Sequence, residues 1–124
     1  MNALKIVDAS ALAALVFGEP EAEAIATILE GARLAAPSLL DFELANVCLT
    51  KMRRHPEQRE ALRAAFYLAD RLAVEIVAVD HAAALHLAEV TGLTTYDASY
   101  LWLARALGGE LVTLDRKRAA AASR

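Results

Sequence analysis

Four carboxylates interrupt apolar sequence: Asp8 in LKIVDASALAALVF, Glu43 in PSLLDFELANV, Asp97 in TTYDASYLWLA and Asp115 in LVTLDRKR. A carboxylate held away from water is costly unless it is paired or hydrogen-bonded. Each acid alone has a simple use, because Asp8, Asp97 and Asp115 stand where helices should begin and can cap them or complement their dipoles. Glu43 is different, since its helical neighbours Leu39, Leu40, Asn46 and Val47 are mostly apolar and it breaks an inward-facing stripe. Acids that converge repel one another unless a cation joins them. An oxygen-only set, with no cysteine and no paired histidine beside it, suits Mg2+ or Mn2+. Burial of Asp8 would then be offset by the ion, and removing the ion should loosen that end of the fold.

The elements that must position these acids alternate between strand and helix. Short apolar runs at 3–7, 33–36, 74–79 and 110–114 read as strands, with VEIVAV over 74–79 the clearest. Helices are expected over 9–17, 21–30, 38–54, 57–72, 81–90 and 96–107, with a last one from Asp115 into the Ala-rich tail. Ser38 is placed to cap the third helix, with Asp41 completing something close to a capping box. Strands apolar on both faces and separated by helices predict an α/β fold, a three-layer α/β/α sandwich around a parallel sheet of about four to five strands. In such a sheet functional groups gather at the carboxyl ends of the strands. Asp8 and Asp115 each follow a strand directly, and Glu43 lies early in the helix after the second strand. Asp97 is not assigned to that edge by strand counting alone.

A chain of 124 residues that is 57% hydrophobic and 23% charged describes one folded domain, 1–124, with a sizeable core. No internal repeat is visible. The net charge of −3 gives no overall nucleic-acid footprint. Cys48 is the one cysteine, read as a core residue. Asp8 breaks the first apolar run too early for a signal peptide or a membrane span, which points to a cytoplasmic protein. The histidines have no shared spacing. Tyr96 and Tyr100 read as core or interface residues, and Lys51, Arg53 and Arg54 as a solvated helix end.

The ordered stretches IVDASAL, APSLLDFELANV, LTTYDASYLWLA and LVTLDRKRAAAA resemble the PIN domain, most closely the VapC-like ribonuclease toxins of bacterial toxin–antitoxin pairs. The resemblance spans the chain. It implies metal-dependent RNA cleavage, with Asp8, Glu43, Asp97 and Asp115 as catalytic residues and ligands of Mg2+ or Mn2+. It also implies Ser10 and Thr113 as hydroxyls close to the metal, and Asn46 as a neighbour of the second acid. Arg116, Lys117 and Arg118, directly after Asp115, would meet the RNA backbone. The implied partners are an RNA substrate, a small antitoxin that inserts a basic side chain into the acidic pocket, and a second copy of the chain, with no membrane association.

Two other classes share parts of this pattern. A receiver-like signalling domain would need an adjacent acid pair after the first strand, where this chain has Ala9 and Ser10. A phosphatase with an aspartyl nucleophile would want a second aspartate at position 10. A catalytically silent PIN fold that only binds a partner is disfavoured by four intact acids.

Overall fold

The structure is a computed structural model describing residues 2–123. The chain runs β1 (Leu4–Val7), α1 (Ala9–Val16), α2 (Ala22–Leu29), β2 (Arg33–Ala36), α3 (Leu39–Arg54), α4 (Arg59–Leu68), β3 (Glu75–Ile76), α5 (His81–Thr91), α6 (Thr95–Leu107), β4 (Glu110–Val112) and α7 (Arg116–Ala122). The four strands form one parallel sheet in the order β3-β2-β1-β4. Successive residues Ile6 and Val7, and Ala35 and Ala36, are all buried. That is the signature of strands covered on both faces.

The order of the strands dictates the layers. From β1 the chain steps to β2 and on to β3, then crosses back past β1 to β4. Right-handed crossovers therefore put α1 to α4 on one face and α5 and α6 on the other. The packing agrees: α1 packs on α2 and α3, α3 on α4, and α5 on α6, which lies over β1 and β4. The strand order reverses between β1 and β4, and their carboxyl ends flank the crevice where open α/β sheets bind ligands.

Three local expectations change. The 74–79 strand shrinks to Glu75–Ile76, with one further bond from the Val77 N–H to the Ala36 carbonyl at 2.9 Å. β3 is an edge strand that pairs only with β2, and the residue after Ala36 is Pro37, which has no N–H to extend the ladder. Ser38 does not cap α3 with its side chain and lies in the helical region at φ −58°, ψ −21°. The carbonyls of Pro37 and Ser38 close that first turn by accepting from Leu40 and Asp41, so the capping-box reading of Ser38 and Asp41 does not hold. The 57–72 helix divides into α4 between short 3-10 turns at Pro56–Gln58 and Ala69–Leu72.

Candidate active site

Asp8 follows the last residue of β1 and is fully buried. It is a helix cap and more than a cap. Its Oδ1 accepts from the Ala11 N–H at 3.1 Å and from the Ser10 hydroxyl at 2.7 Å. Its Oδ2 accepts from the Thr113 hydroxyl and from Arg118. The Ser10 oxygen in turn accepts from the Leu114 N–H at 2.8 Å, and the Thr113 oxygen from the Asp115 N–H at 2.9 Å. Both hydroxyl protons are spent on Asp8, so the 3.3 Å approach of Ser10 to Thr113 is proximity and not a further bond. The two hydroxyls lash the turn after β1 to the turn after β4, with Asp8 as the post between them.

Glu43 reaches the same point from the second turn of α3, and Asp97 from the first turn of α6. Asp97 is free to do so because Thr94 caps α6, accepting from the Asp97 N–H at 3.1 Å. The three carboxylates meet on one side chain, Arg118. Its Nε donates to Asp97 Oδ1 at 2.6 Å. One terminal nitrogen donates to Asp8 Oδ2 and Glu43 Oε1, each at 3.2 Å, and the other to Glu43 Oε2 at 2.7 Å. The guanidinium lies 4.5 Å from the centre of the Tyr100 ring, and the Tyr100 hydroxyl donates to Glu43 Oε1 at 2.8 Å. The Arg118 side chain is only 9% exposed. Among the described residues no buried side-chain nitrogen or oxygen lacks a partner.

Burial opposes the charge on Arg118, but the hydrogen bonds it donates to Glu43 and Asp97 and the charges of Glu43 and Asp8 outweigh it and hold the guanidinium above its usual pKa. For the Tyr100 phenol, burial comes first and the charge and hydrogen bond of Glu43 add to it, pushing the pKa up against the opposing pull of Arg118. Three carboxylates around one guanidinium leave an excess of negative charge, relieved from outside by Lys117, whose Nζ stands 3.9 Å from Asp97 Oδ2.

The remaining expected residues are placed as follows. Asp115 caps α7, its Oδ1 accepting from the N–H groups of Lys117 and Arg118 at 2.9 and 3.1 Å. Its carboxylate touches the cluster only through the helix it starts, while its N–H holds the Thr113 hydroxyl that donates to Asp8. Asn46 is exposed and among the described residues makes no hydrogen bond to Glu43, which is held by Tyr100 and Arg118 instead. Arg116 and Lys117 are exposed. Arg118 departs from the expected RNA contact: it shares a helical face with buried Ala121 and is turned inward onto the acids. Arg118, expected at the RNA backbone, and Tyr100, expected in the core or an interface, are the two members of the cluster that the sequence did not place beside the acids. Both left a trace, since Tyr100 sits three residues after Asp97 on one helix face and Arg118 three residues after the Asp115 cap. Lys51, expected to be solvated, instead pairs with Glu19 at 2.9 Å.

The donor set is oxygen-only and drawn from three separate elements, which suits a hard divalent cation. The cation around which these carboxylates now close is the guanidinium. Among the described residues no group of three or more His, Cys, Asp or Glu stands ready to hold a metal. Arg118 supplies buried Asp8 with a counter-charge from within the chain.

Comparison with known proteins bears on what such a site is for. A family model described as the PIN domain matches residues 5–123. Ribonuclease VapC3 of Pyrobaculum aerophilum is 35% identical over 119 residues, covering 92% of this chain and 91% of the relative. The crystal structure of PAE2754, also from Pyrobaculum aerophilum, superposes with a TM-score of 0.76 at 28% identity over 95% of this chain and 78% of the other. The sarcin–ricin loop cleaving toxin VapC20 of Mycobacterium tuberculosis shares the fold with a TM-score of 0.66 at 20% identity, over 94% of each chain. A parallel four-strand sheet with acids gathered at its switch point is thus accounted for by descent as well as by topology: the chain belongs to the PIN domain family, among its VapC-like members.

Proposed function

We propose that the chain, acting as a single domain over 1–124, is a divalent-metal-dependent endoribonuclease and the toxin of a toxin–antitoxin pair. The observation that carries this reading is the meeting of Asp8, Glu43 and Asp97, from β1, α3 and α6, on one cation at the sheet's switch point. Its family setting supports it, since a relative of similar length is a ribonuclease. Asp8, Glu43 and Asp97 would hold Mg2+ or Mn2+, with Asp115 joining them or holding the turn that precedes α7. A divalent ion bound there lowers the pKa of a coordinated water and takes up charge on a phosphoryl oxygen. Ser10 and Thr113 fix the orientation of Asp8, and Tyr100 fixes that of Glu43. Arg116 and Lys117, exposed on the first turn of α7, are the cations offered to the RNA backbone. The proposed partners are RNA, a small antitoxin whose basic side chain competes for the acids, and a second copy of the chain, in the cytoplasm. Among the described residues no helix is long and apolar enough to cross a membrane.

A second reading, a silent binding module, is favoured by one observation, the guanidinium already filling the pocket. Incubating purified protein with mixed RNA and Mg2+ or Mn2+, with and without chelator and beside Asp8→Asn, separates the two. Metal-dependent cleavage lost in the variant supports the nuclease. Cleavage that survives chelation, or equal cleavage by the variant, overturns it, and no cleavage with any RNA favours the silent module.

A further inference from the structure

We infer that Arg118 is a built-in occupant of the cation pocket, so that a divalent ion binds Asp8, Glu43 and Asp97 only as the Arg118 side chain leaves them. The inference rests on the metal reading above and adds a competitor from within the chain. Three observations carry it.

The first is saturation. Arg118 spends four hydrogen bonds on three carboxylates, with a two-pronged grip on Glu43. The oxygens it engages, Asp8 Oδ2, Glu43 Oε1 and Oε2 and Asp97 Oδ1, are the inward-facing ones a metal would need, because Asp8 Oδ1 is committed to Ser10 and Ala11. The second is position. The guanidinium is enclosed between the acids and the Tyr100 ring and is the neighbour that all three carboxylates share. The third is attachment. Arg118 is carried by α7, a helix of seven residues, joined to the rest of the fold through α6 and β4. The contacts of α7 with β4 and α6 are few beside those that hold β1 and α3, which carry Asp8 and Glu43, so the side chain can withdraw while those two acids stay in place.

Charge balance gives the exchange a direction. One guanidinium brings one positive charge to three acids, and a divalent ion brings two at shorter range. The apparent affinity of the ion is lowered by the fraction of molecules with Arg118 in place, so an arrangement held by about nine molecules in ten weakens binding about ten-fold. Released from the pocket, the guanidinium joins Arg116 and Lys117 on the face offered to phosphates. The same pocket thereby sets metal loading and the presentation of a third basic side chain against each other.

The test is a titration of Mg2+ into 15N-labelled wild-type protein, following the Arg118 Nε–H resonance assigned through Arg118→Lys and its contact with the Tyr100 ring. The resonance should begin as a slowly exchanging signal shifted by its carboxylate partner. It should move to the position and fast exchange of a solvated arginine as the metal saturates. Calorimetric titration of Mn2+ into Arg118→Gln should give a Kd about ten-fold lower than wild type, with Glu43→Gln as the control that abolishes binding. An Arg118 resonance that stays in place while Glu43-dependent binding saturates overturns the inference and leaves the metal site standing. Equal Mn2+ affinity in wild type and Arg118→Gln does the same. No binding by either protein at millimolar metal overturns the metal reading and the inference together.

Discussion

At the scale of single residues, the site is a balance of hydrogen bonds around charges that could not be buried alone. Tyr100 shows how narrow that balance is. Its ring is fully buried beneath Arg118 and, among the described residues, its hydroxyl is the one neutral side-chain donor to Glu43. Tyr100→Phe keeps the ring and removes the donor, leaving Glu43 Oε1 with the guanidinium alone. Loss of a partly buried bond to a charged acceptor should cost about 1.5–3 kcal/mol, read as a lower urea midpoint at unchanged slope. A variant as stable as wild type would show that water replaces the hydroxyl without loss. The acids themselves were legible in the sequence because a carboxylate in an apolar run is conspicuous. The place of Arg118 was not, because a basic triplet directly after a cap reads as a set of cations offered to the RNA backbone. Only the fold reveals that the third member shares its face with Ala121.

At the scale of elements, the glycines and prolines that bound the helices were readable, and the interactions across them were not. Gly108 ends α6 at φ +65° and the chain turns at once into β4. Gly108→Ala should lower stability by about 1 kcal/mol through the left-handed backbone alone, measured by chemical denaturation, because a Cβ there meets nothing within 4 Å. The α3–α4 pair offers a different check. Cys48 is buried in α3 with its Sγ 3.6 Å from the Leu62 carbonyl of α4. Burial pushes the thiol pKa up, against a smaller lowering by the Arg63 charge. A raised folded value means that the unfolded chain loses its proton first. The stabilisation is therefore complete below about pH 8.5, the ordinary thiol pKa, and is lost as the pH climbs from there through the raised value. Between pH 7.5 and 9.5 wild type should lose more stability than Cys48→Ala does, and parallel profiles would remove the thiol from the account. The shortened β3 has the same moral as Cys48. VEIVAV has strand propensity along its whole length, but an edge strand is only as long as its neighbour, and Pro37 ends β2.

At the scale of the whole molecule, Arg118 joins parts of the fold that the sheet alone keeps apart. β1 supplies Asp8, α3 on one face supplies Glu43, α6 on the other supplies Asp97, and α7 supplies the guanidinium that closes on all three. An Ala-rich helix of seven residues is far too short to be stable in water by itself. α7 holds its place through the Asp115 cap, the buried Ala121 and above all Arg118. If a divalent ion displaces that side chain, the molecule exchanges one kind of order for another. The pocket ends of α1, α3 and α6 become tied through the ion, and α7 loses its main anchor. Amide hydrogen exchange should register both changes in one experiment. With saturating Mg2+, amides of the first turns of α1 and α6 should exchange more slowly, and those of Ala119 to Ser123 faster. In Arg118→Gln without metal, the α7 amides should already exchange fast and Mg2+ should leave them so. Slower exchange throughout α7 in metal-loaded wild type would mean that the helix tightens on the ion with Arg118 still in place. The last helix would then be a fixed wall of the pocket and not its door.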